Sequence, residues 1–268
     1  MVIARRPRVN AYVNAPNVRG FKRDEIHTIV WTTRTGQALG VLWSYACHPV
    51  AFPSSTEIAA HYPHVVRQRL RAHFNSDHLP VVFLQGFSGN LRPSASAALN
   101  GLRRRARRIL TGPVFSDMTR EGYRAWTSTL ASDVVACVED GRSVRSEGLS
   151  VRRTVRPAEA FVSGASQGVS FHAARLAPGL VIAGVSAEAV SEFVPLIEAQ
   201  APGEHLVLAG CLDDTYGYAP TTEILQQGGY EAGGFCDAFG LGEVPASVEA
   251  AVIEGFVHVL EGVADEGE

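Results

Sequence analysis

Two apolar runs stop abruptly at small or polar residues, and they constrain the fold of this chain more than any other feature. One spans residues 81–93 (VVFLQGFSGNLRP) and the other spans residues 44–50 (SYACHPV). A buried strand that ends in this way delivers polar groups to the edge of a sheet, where loops commonly carry function. We therefore expect the two strand ends to meet in one cleft.

The rest of the chain alternates between strand-like and helix-like patterns. This predicts an α/β fold with some α+β character, in which a mixed β-sheet is covered by helices. Residues 27–33 and 38–47 are strand-like and are separated by a short connection that contains Gly36, which predicts a local antiparallel hairpin near the N-terminus. Further strands are predicted at residues 149–155, 169–174, 180–185 and 205–211. We interpret residues 1–268 as a single domain.

Charge and cysteine usage exclude several classes of protein. A net charge of -3 gives no electrostatic reason to expect a nucleic acid as partner. The one basic island, at residues 103–108, lacks aromatic residues that could stack on bases and predicts a solvated surface. The four cysteines form no CxxC pair, so neither a disulfide framework nor a cysteine zinc site is indicated.

The sequence contains no pattern that targets it to a membrane. Its apolar runs are shorter than the roughly 18 residues of a transmembrane segment. The opening residues MVIARRPRVN lack a signal-peptide core. The localisation stays open, with the cytoplasm as the default.

A few polar side chains follow the predicted strands and are candidates for chemistry. His48 ends a strand just before a proline and is either a structural residue or a ligand. Glu188 follows the strand at residues 180–185 and is predicted at the start of a helix, where the helix dipole or a ligand would favour a carboxylate. Residues 213–222 and 228–232 form two loops rich in acids, tyrosines and glycines, a composition typical of a site.

Five short motifs occur in an order that is typical of one enzyme family. They are ACHP at residues 46–49, FLQGFSGNLRP at 83–93, SAE at 186–188, GYAPT at 217–221 and GGYEA at 228–232. Together they resemble the catalytic-domain core of the neutral ceramidases. The resemblance implies a zinc-dependent amidohydrolase, which hydrolyses the N-acyl amide bond of ceramide or a related N-acyl lipid.

The resemblance also implies roles for individual residues. It makes His48, Glu188 and Tyr218 the ligands of Zn²⁺, and it makes Tyr230 a catalytic residue that donates a hydrogen bond to the substrate amide or the developing oxyanion. The glycine-rich loop implies a substrate-binding segment, with the residues Gly86, Phe87, Ser88 and Asn90. Nitrogen and oxygen ligands suit zinc, which acidifies a bound water and polarises a carbonyl group.

The chain departs from the family pattern in its metal ligands. The family's THTHSGP-like motif, whose first histidine is another zinc ligand, is not present, so we expect a catalytic domain that is truncated at its N-terminal side. His61 or His64 could replace that ligand if their loop folds inward, although both are also predicted at the exposed start of a helix. In the glycine-rich loop, Gly86 and Asn90 occupy the positions of the family's serine and aspartate.

These departures leave other classes of function open. One alternative is a non-catalytic or degenerate relative that acts as a binding or partner subunit, or a fragment. Exposed apolar surface would then favour a homo-oligomer. The zinc hydrolase, in contrast, could be completed by a second polypeptide that supplies the absent segment. Another alternative is a metal-free hydrolase that uses Ser88, although the loop does not match the GxSxG pattern. Short N-acyl amides are alternative substrates.

Overall fold

The computed structural model describes residues 1–7, 12–14, 20–54, 56–94, 115, 118–146 and 148–264. The basic island at residues 103–108 lies outside the described residues. The chain divides into two compact units, the first formed by Met1–Leu84 and Leu91–Val144 and the second by Gln85–Asn90 and Arg145–Glu268. The interpretation of residues 1–268 as one domain stays a prediction.

The described part of the first unit contains a five-stranded sheet and two helices. Its strands are β1 (Val2–Pro7), β2 (Tyr12–Asn14), β3 (Glu25–Thr32), β4 (Ala38–Tyr45), β5 (Val81–Gln85), β6 (Leu91–Pro93) and β7 (Arg142–Ser143), and its helices are α1 (His61–His73) and α2 (Arg120–Glu139). The strand order is β5-β4-β3-β1-β7, while β2 pairs separately with β6.

The predicted hairpin near the N-terminus is confirmed. Strands β3 and β4 pair antiparallel, with Ile29 opposite Leu42. The turn between them closes when the amide of Thr33 donates to the carbonyl of Gln37 at 2.8 Å. Gly36 adopts a φ of 88° in this turn, a conformation that glycine reaches without a steric penalty.

Aromatic side chains fill the core of the first unit. The rings of Tyr62 on α1 and Trp126 on α2 meet edge to face, with centroids 5.5 Å apart. Val66 and Leu70 lie on the same face of α1 and are fully buried, as their helical spacing predicts. Trp43 on β4 joins them, so both helices bury their apolar faces against the sheet.

The second unit has a mixed sheet and several short helices. Its strands are β8 (Ser150–Arg156), β9 (Val169–Ala177), β10 (Leu180–Val185), β11 (Glu188–Ala189), β12 (His205–Ala209) and β13 (Tyr218–Ala219). Its helices are α3 (Phe193–Glu198), α4 (Thr222–Gln227), α5 (Phe235–Phe239) and α6 (Val248–Glu261), with a 3₁₀ turn at Ala158–Ala160 and a π turn at Tyr230–Gly234.

The strand order in this unit is β12-β10-β9-β8. Strand β10 pairs parallel with β12 and antiparallel with β9, so the predicted mixed sheet is confirmed. Strands β11 and β13 form a separate parallel pair. None of the helices in the described part of the chain is long and apolar enough to cross a membrane.

Helix α6 packs closely on β8 and β9 because it carries a glycine at the contact. Phe171 on β9 and Phe256 on α6 are fully buried, and their rings meet edge to face at 5.2 Å. A Cβ atom at Gly255 would lie only 2.5 Å from the ring of Phe171. The close approach of this helix therefore depends on the absence of a side chain at Gly255.

We predict that Gly255→Ala destabilises the protein. Alanine favours a helix over glycine by about 1 kcal/mol, but overpacking a buried contact costs about 1–3 kcal/mol, and the fully buried ring of Phe171 has little room to move. Urea unfolding should show a lower free energy of unfolding. His258→Ala, at an exposed position of the same helix, is the control and should change stability little. Equal stability of Gly255→Ala and the wild type would contradict the packing argument.

Candidate functional site

A carboxylate and a phenol lie side by side in the second unit. Glu188 on β11 and Tyr218 on β13 are opposite each other in a parallel pair. The backbone amide of Glu188 donates to the carbonyl of Gly217 at 2.8 Å, and the amide of Val190 donates to Ala219 at 3.2 Å. The phenol of Tyr218 also forms a hydrogen bond with the carboxylate of Glu188. Two of the predicted metal ligands are thus in direct contact.

The prediction that Glu188 begins a helix is wrong. Glu188 lies in β11, and the next helix, α3, begins only at Phe193. The reason is the pairing with β13, which keeps the backbone extended through Ala189. A partner strand thirty residues further along the chain is not visible in the local pattern.

Burial and charge keep the phenol of Tyr218 protonated. Burial raises the pKa of Tyr218 most, followed by the charge of Glu188 and the hydrogen bond to it, with further contributions from Tyr230 and Glu231. A low-dielectric surrounding disfavours the phenolate, and a neighbouring carboxylate disfavours it further. The phenol of Tyr218 is therefore a hydrogen-bond donor to Glu188. Only a nearby cation, which compensates the negative charge of a phenolate, would favour its ionisation.

Tyr230 borders this pair and is open to solvent. Its ring lies 5.4 Å from the ring of Tyr218 at an angle of 72°, and 48% of the residue is exposed. Phe235 contacts the same ring of Tyr218, also at 5.4 Å. Tyr230 begins the π turn, in which the backbone of Gly233 departs from helical geometry with a φ of 152°. Its hydroxyl group is thus accessible to a substrate, whereas Tyr218 is partly buried.

The glycine-rich loop supports β11 from within the second unit. The amide of Gly89 donates to the carbonyl of Ala189 at 2.9 Å, and a Cβ atom at Gly89 would lie 2.6 Å from the carbonyl oxygen of Glu188. The amide group of Asn90 donates to Glu192 at 2.6 Å and accepts from the backbone of Ser191 at 2.9 Å. These contacts hold the strand that carries Glu188.

The predicted substrate-binding residues of this loop are buried. Phe87, Ser88 and Asn90 are at most 1% exposed, and Gly86 is also buried. The ring of Phe87 packs against Phe256 at 5.8 Å. The hydroxyl of Ser88 has no hydrogen-bond partner among the described residues, and its burial disfavours a role as a nucleophile. Substrate binding by this loop stays a prediction, and its observed contacts are structural.

His48 belongs to the first unit. It follows β4, and its carbonyl accepts a hydrogen bond from the amide of Val50 at 2.8 Å, which forms a tight turn. His61 and His64 lie in the first turn of α1 in the same unit, as the sequence also predicted. The role of His48 as a zinc ligand, and the meeting of the two strand ends in one cleft, stay predictions.

The ligand chemistry of the Glu188 and Tyr218 pair fits zinc in part. A catalytic zinc usually takes three protein ligands with nitrogen, oxygen or sulfur donors. The carboxylate and the phenol provide two adjacent oxygens. In the described ranges, no group of three or more His, Cys, Asp and Glu side chains lies close enough to hold a metal ion. The assignment of His48 as the third ligand stays a prediction.

A polar cluster that no sequence motif predicted anchors the loop before Tyr218. The ring nitrogen Nε2 of His172 lies 2.7 Å from a carboxylate oxygen of Asp213 and 3.3 Å from the hydroxyl of Ser170. That hydroxyl donates to Asp213 at 3.2 Å, and Arg153 contacts the same oxygen at 3.4 Å. The cluster is not a Ser-His-Asp triad, because a single ring nitrogen faces both partners. In the sequence, the two adjacent acidic residues 213–214 were the only indication of this cluster.

Comparison with solved structures identifies a shared fold. The crystal structure of neutral ceramidase from Pseudomonas aeruginosa matches with a TM-score of 0.70 and 14% sequence identity, over 96% of this chain and 51% of that chain. A ceramidase complexed with C2 matches with a TM-score of 0.65 and 14% identity, over 96% of this chain and 52% of that one. No protein-family model and no curated protein matches the sequence.

The chain spans about half the length of the solved structures that it matches. A TM-score of this size at 14% identity shows that the folds are alike. The resemblance found in the sequence motifs is therefore confirmed at the level of the fold: this chain has the fold of neutral ceramidase.

We predict that the polar cluster around Asp213 stabilises the protein less in acid. Burial acts to raise the pKa of Asp213, but the charge and hydrogen bond of His172, with Ser170 and Arg153, outweigh it and lower that pKa. A lowered folded-state pKa stabilises the protein above the unfolded-state pKa, about 4 for a carboxyl group. That contribution is lost as the pH falls through the folded-state value.

Asp213→Asn should therefore lower the free energy of unfolding by about 1 kcal/mol or less at neutral pH, because the Asp213 side chain is 48% exposed and water screens its charge. The difference from the wild type should shrink below about pH 4. Asp214→Asn, which keeps an acceptor for the amide of Thr215, is the matched control. Urea unfolding across pH is the measurement, and a difference that does not change with pH would contradict the assignment.

Proposed function

We propose that this chain hydrolyses the N-acyl amide bond of ceramide or a related N-acyl lipid with the help of a zinc ion. The proposed zinc ligands are His48, Glu188 and Tyr218, and Tyr230 is the proposed hydrogen-bond donor to the substrate. Two lines of support are the shared fold with neutral ceramidase and the ordered set of motifs in the sequence.

The contact between Glu188 and Tyr218 is the observation that carries this proposal. Both residues were assigned as ligands from separate motifs, thirty positions apart in the chain. They are directly opposite each other in the β11–β13 pair, and their side chains form a hydrogen bond. Two oxygen donors at one point, each on its own strand, are a suitable part of a zinc site.

The side chains around the pair would orient it for metal binding. A bound zinc ion would supply Lewis acidity, which polarises a carbonyl group and acidifies water. Tyr218 lies between the rings of Tyr230 and Phe235, so packing limits its rotation. Because burial raises its pKa, the phenol has to release its proton when it becomes a ligand, and metal binding should strengthen with pH.

Tyr230 has the exposure and chemistry of a group that stabilises a developing oxyanion. Attack on an amide carbonyl places negative charge on the oxygen, and a preorganised hydroxyl donor stabilises that charge. The ring of Tyr230 is fixed by the contact with Tyr218, while 48% of the residue remains exposed. It can therefore reach a substrate without a change in the buried core.

We predict that the protein binds about one zinc ion per chain and that Glu188→Gln and His48→Ala each reduce the affinity for zinc by more than about 100-fold. Changes next to a ligand already cost about 10- to 100-fold, so the loss of a ligand itself should cost more. Metal content after dialysis, measured by mass spectrometry, is the readout.

Matched controls separate ligand loss from a general loss of charge. Glu159→Gln and His258→Ala change exposed residues of the second unit and should keep the zinc. Hydrolysis of a fluorescent N-acyl lipid should fall together with the zinc content. A folded wild-type protein that neither contains zinc nor gains thermal stability when zinc is added would contradict the proposal.

Tyr230→Phe should lower the turnover number for the N-acyl lipid by about 100-fold or more, because the loss of one oxyanion donor costs about that much. Zinc content should not change. Tyr216→Phe is a matched control, since the buried Tyr216 hydroxyl has no hydrogen-bond partner among the described residues. Equal turnover numbers for Tyr230→Phe and the wild type would remove Tyr230 from the mechanism.

A non-catalytic binding protein is the second candidate function. It is favoured by exposed apolar side chains on and beside the edge strand β8, where Val151 is 61% and Val155 is 48% exposed and Leu149 just before the strand is 68% exposed. Edge strands with apolar side chains are suited to a partner or a second copy. A zinc-free, inactive wild-type protein that forms oligomers in light scattering would favour this candidate over the hydrolase.

A further inference from the structure

A cavity of about 400 Å³ opens on the second unit beside the π turn. This volume is within the range of roughly 300–1,000 Å³ typical of small-molecule sites. Ala232, Leu241 and Val244 form apolar parts of its wall, and the thiol-bearing residue Cys236 also lines it. The cavity thus has an apolar surface suited to a short stretch of alkyl chain.

The charged residues that line the cavity are both acidic. Asp237 and Glu243 both line the cavity, and none of the described residues in its wall is basic. Neither carboxylate has an ion-pair partner among the described residues that would neutralise it. Such a cavity repels a fatty-acid carboxylate and attracts a cation with an apolar tail.

The cavity is lined in part by the turn that begins at Tyr230, the candidate catalytic residue. Ala232 belongs to the same π turn that begins at Tyr230, and α5, which carries Cys236 and Asp237, follows this turn directly. Phe235, the first residue of α5, contacts the ring of Tyr218. One continuous segment, residues 230–239, therefore connects the proposed site to the cavity.

We propose that this cavity binds the primary alkylammonium ion that amide hydrolysis releases, and so acts as a product site for the amine. The identity of the amine rests on the proposed function. In the hydrolysis, water adds to the carbonyl carbon, the C–N bond breaks, and the nitrogen takes up a proton to leave as an amine. A primary alkylamine is protonated at neutral pH, as a lysine side chain is.

The amide substrate is neutral at its nitrogen and the amine product is a cation. This difference in charge makes the cavity selective for the product over the substrate. The nitrogen of an amide is neutral and gains little from two carboxylates, whereas the ammonium gains from both. The same difference would draw the amine away from the reacting centre after cleavage. The fatty acid, the other product, carries the charge that the cavity repels.

Binding of three ligands with the same alkyl chain tests the proposal. Isothermal titration calorimetry should show that octylammonium binds more tightly than N-acetyloctylamine, and that octanoate binds most weakly. Asp237→Asn and Glu243→Gln should each weaken octylammonium binding by about two- to fivefold, as expected for exposed charge pairs. Both effects should diminish at high salt, and Glu159→Gln should have no effect.

Alkylation of cysteines locates the bound amine. Octylammonium should slow the reaction of Cys236 with iodoacetamide, whereas Cys211, which does not line the cavity, should react at an unchanged rate. Peptide mass spectrometry measures both cysteines in one sample. The proposal is wrong if octylammonium and N-acetyloctylamine bind equally, if the double variant Asp237→Asn/Glu243→Gln binds octylammonium as the wild type does, or if Cys236 is not protected.

The outcome for the cavity can be separated from the outcome for the enzyme. These measurements use no substrate turnover and no added metal. Selective binding in a protein that hydrolyses no N-acyl lipid would establish the ammonium site and overturn the proposed function and the product role. Hydrolysis by a protein whose cavity shows no ammonium selectivity would overturn this inference and leave the proposed function in place.

Discussion

The backbone hydrogen bonds on both sides of Glu188 are the constraint on which the candidate site depends. The carbonyl of Ala187 accepts from Cys211, the amide of Glu188 donates to Gly217, and the carbonyl of Ala189 accepts from Gly89. Two loops, residues 210–217 and the glycine-rich loop, are thus tied to one short strand. Because buried peptide groups are costly to leave unpaired, this network holds the backbone of Glu188 in one position.

The same arrangement determines the electrostatics of Tyr218. Its partial burial and the neighbouring carboxylate of Glu188 both oppose ionisation of the phenol. In this state the pair is a hydrogen-bonded unit that stores one proton. A divalent cation would reverse the balance, since it compensates both negative groups at once. In the proposed zinc site, metal binding would therefore compete with this proton and would strengthen with pH.

Sequence patterns predicted much of the fold because many elements are locally encoded. The β3–β4 hairpin follows from two apolar runs and a Gly36 turn, and α1 follows from the spacing of Val66 and Leu70. Local patterns failed where distant segments decide the conformation. Glu188 was predicted in a helix, but pairing with Tyr218 keeps it in a strand. The local sequence around His172 likewise does not indicate its contact with Asp213, 41 positions away.

By itself, the sequence determined which residue types could do chemistry and in which order they occur along the chain, because motifs and apolar periodicity are properties of neighbouring residues. It also indicated the resemblance to neutral ceramidase that the fold bears out at 14% identity. Only the tertiary structure decided that Glu188 and Tyr218 touch, that Ser88 and Asn90 are buried, and that Asp237 and Glu243 line one cavity. These facts depend on packing between segments far apart in the chain, which no local pattern encodes.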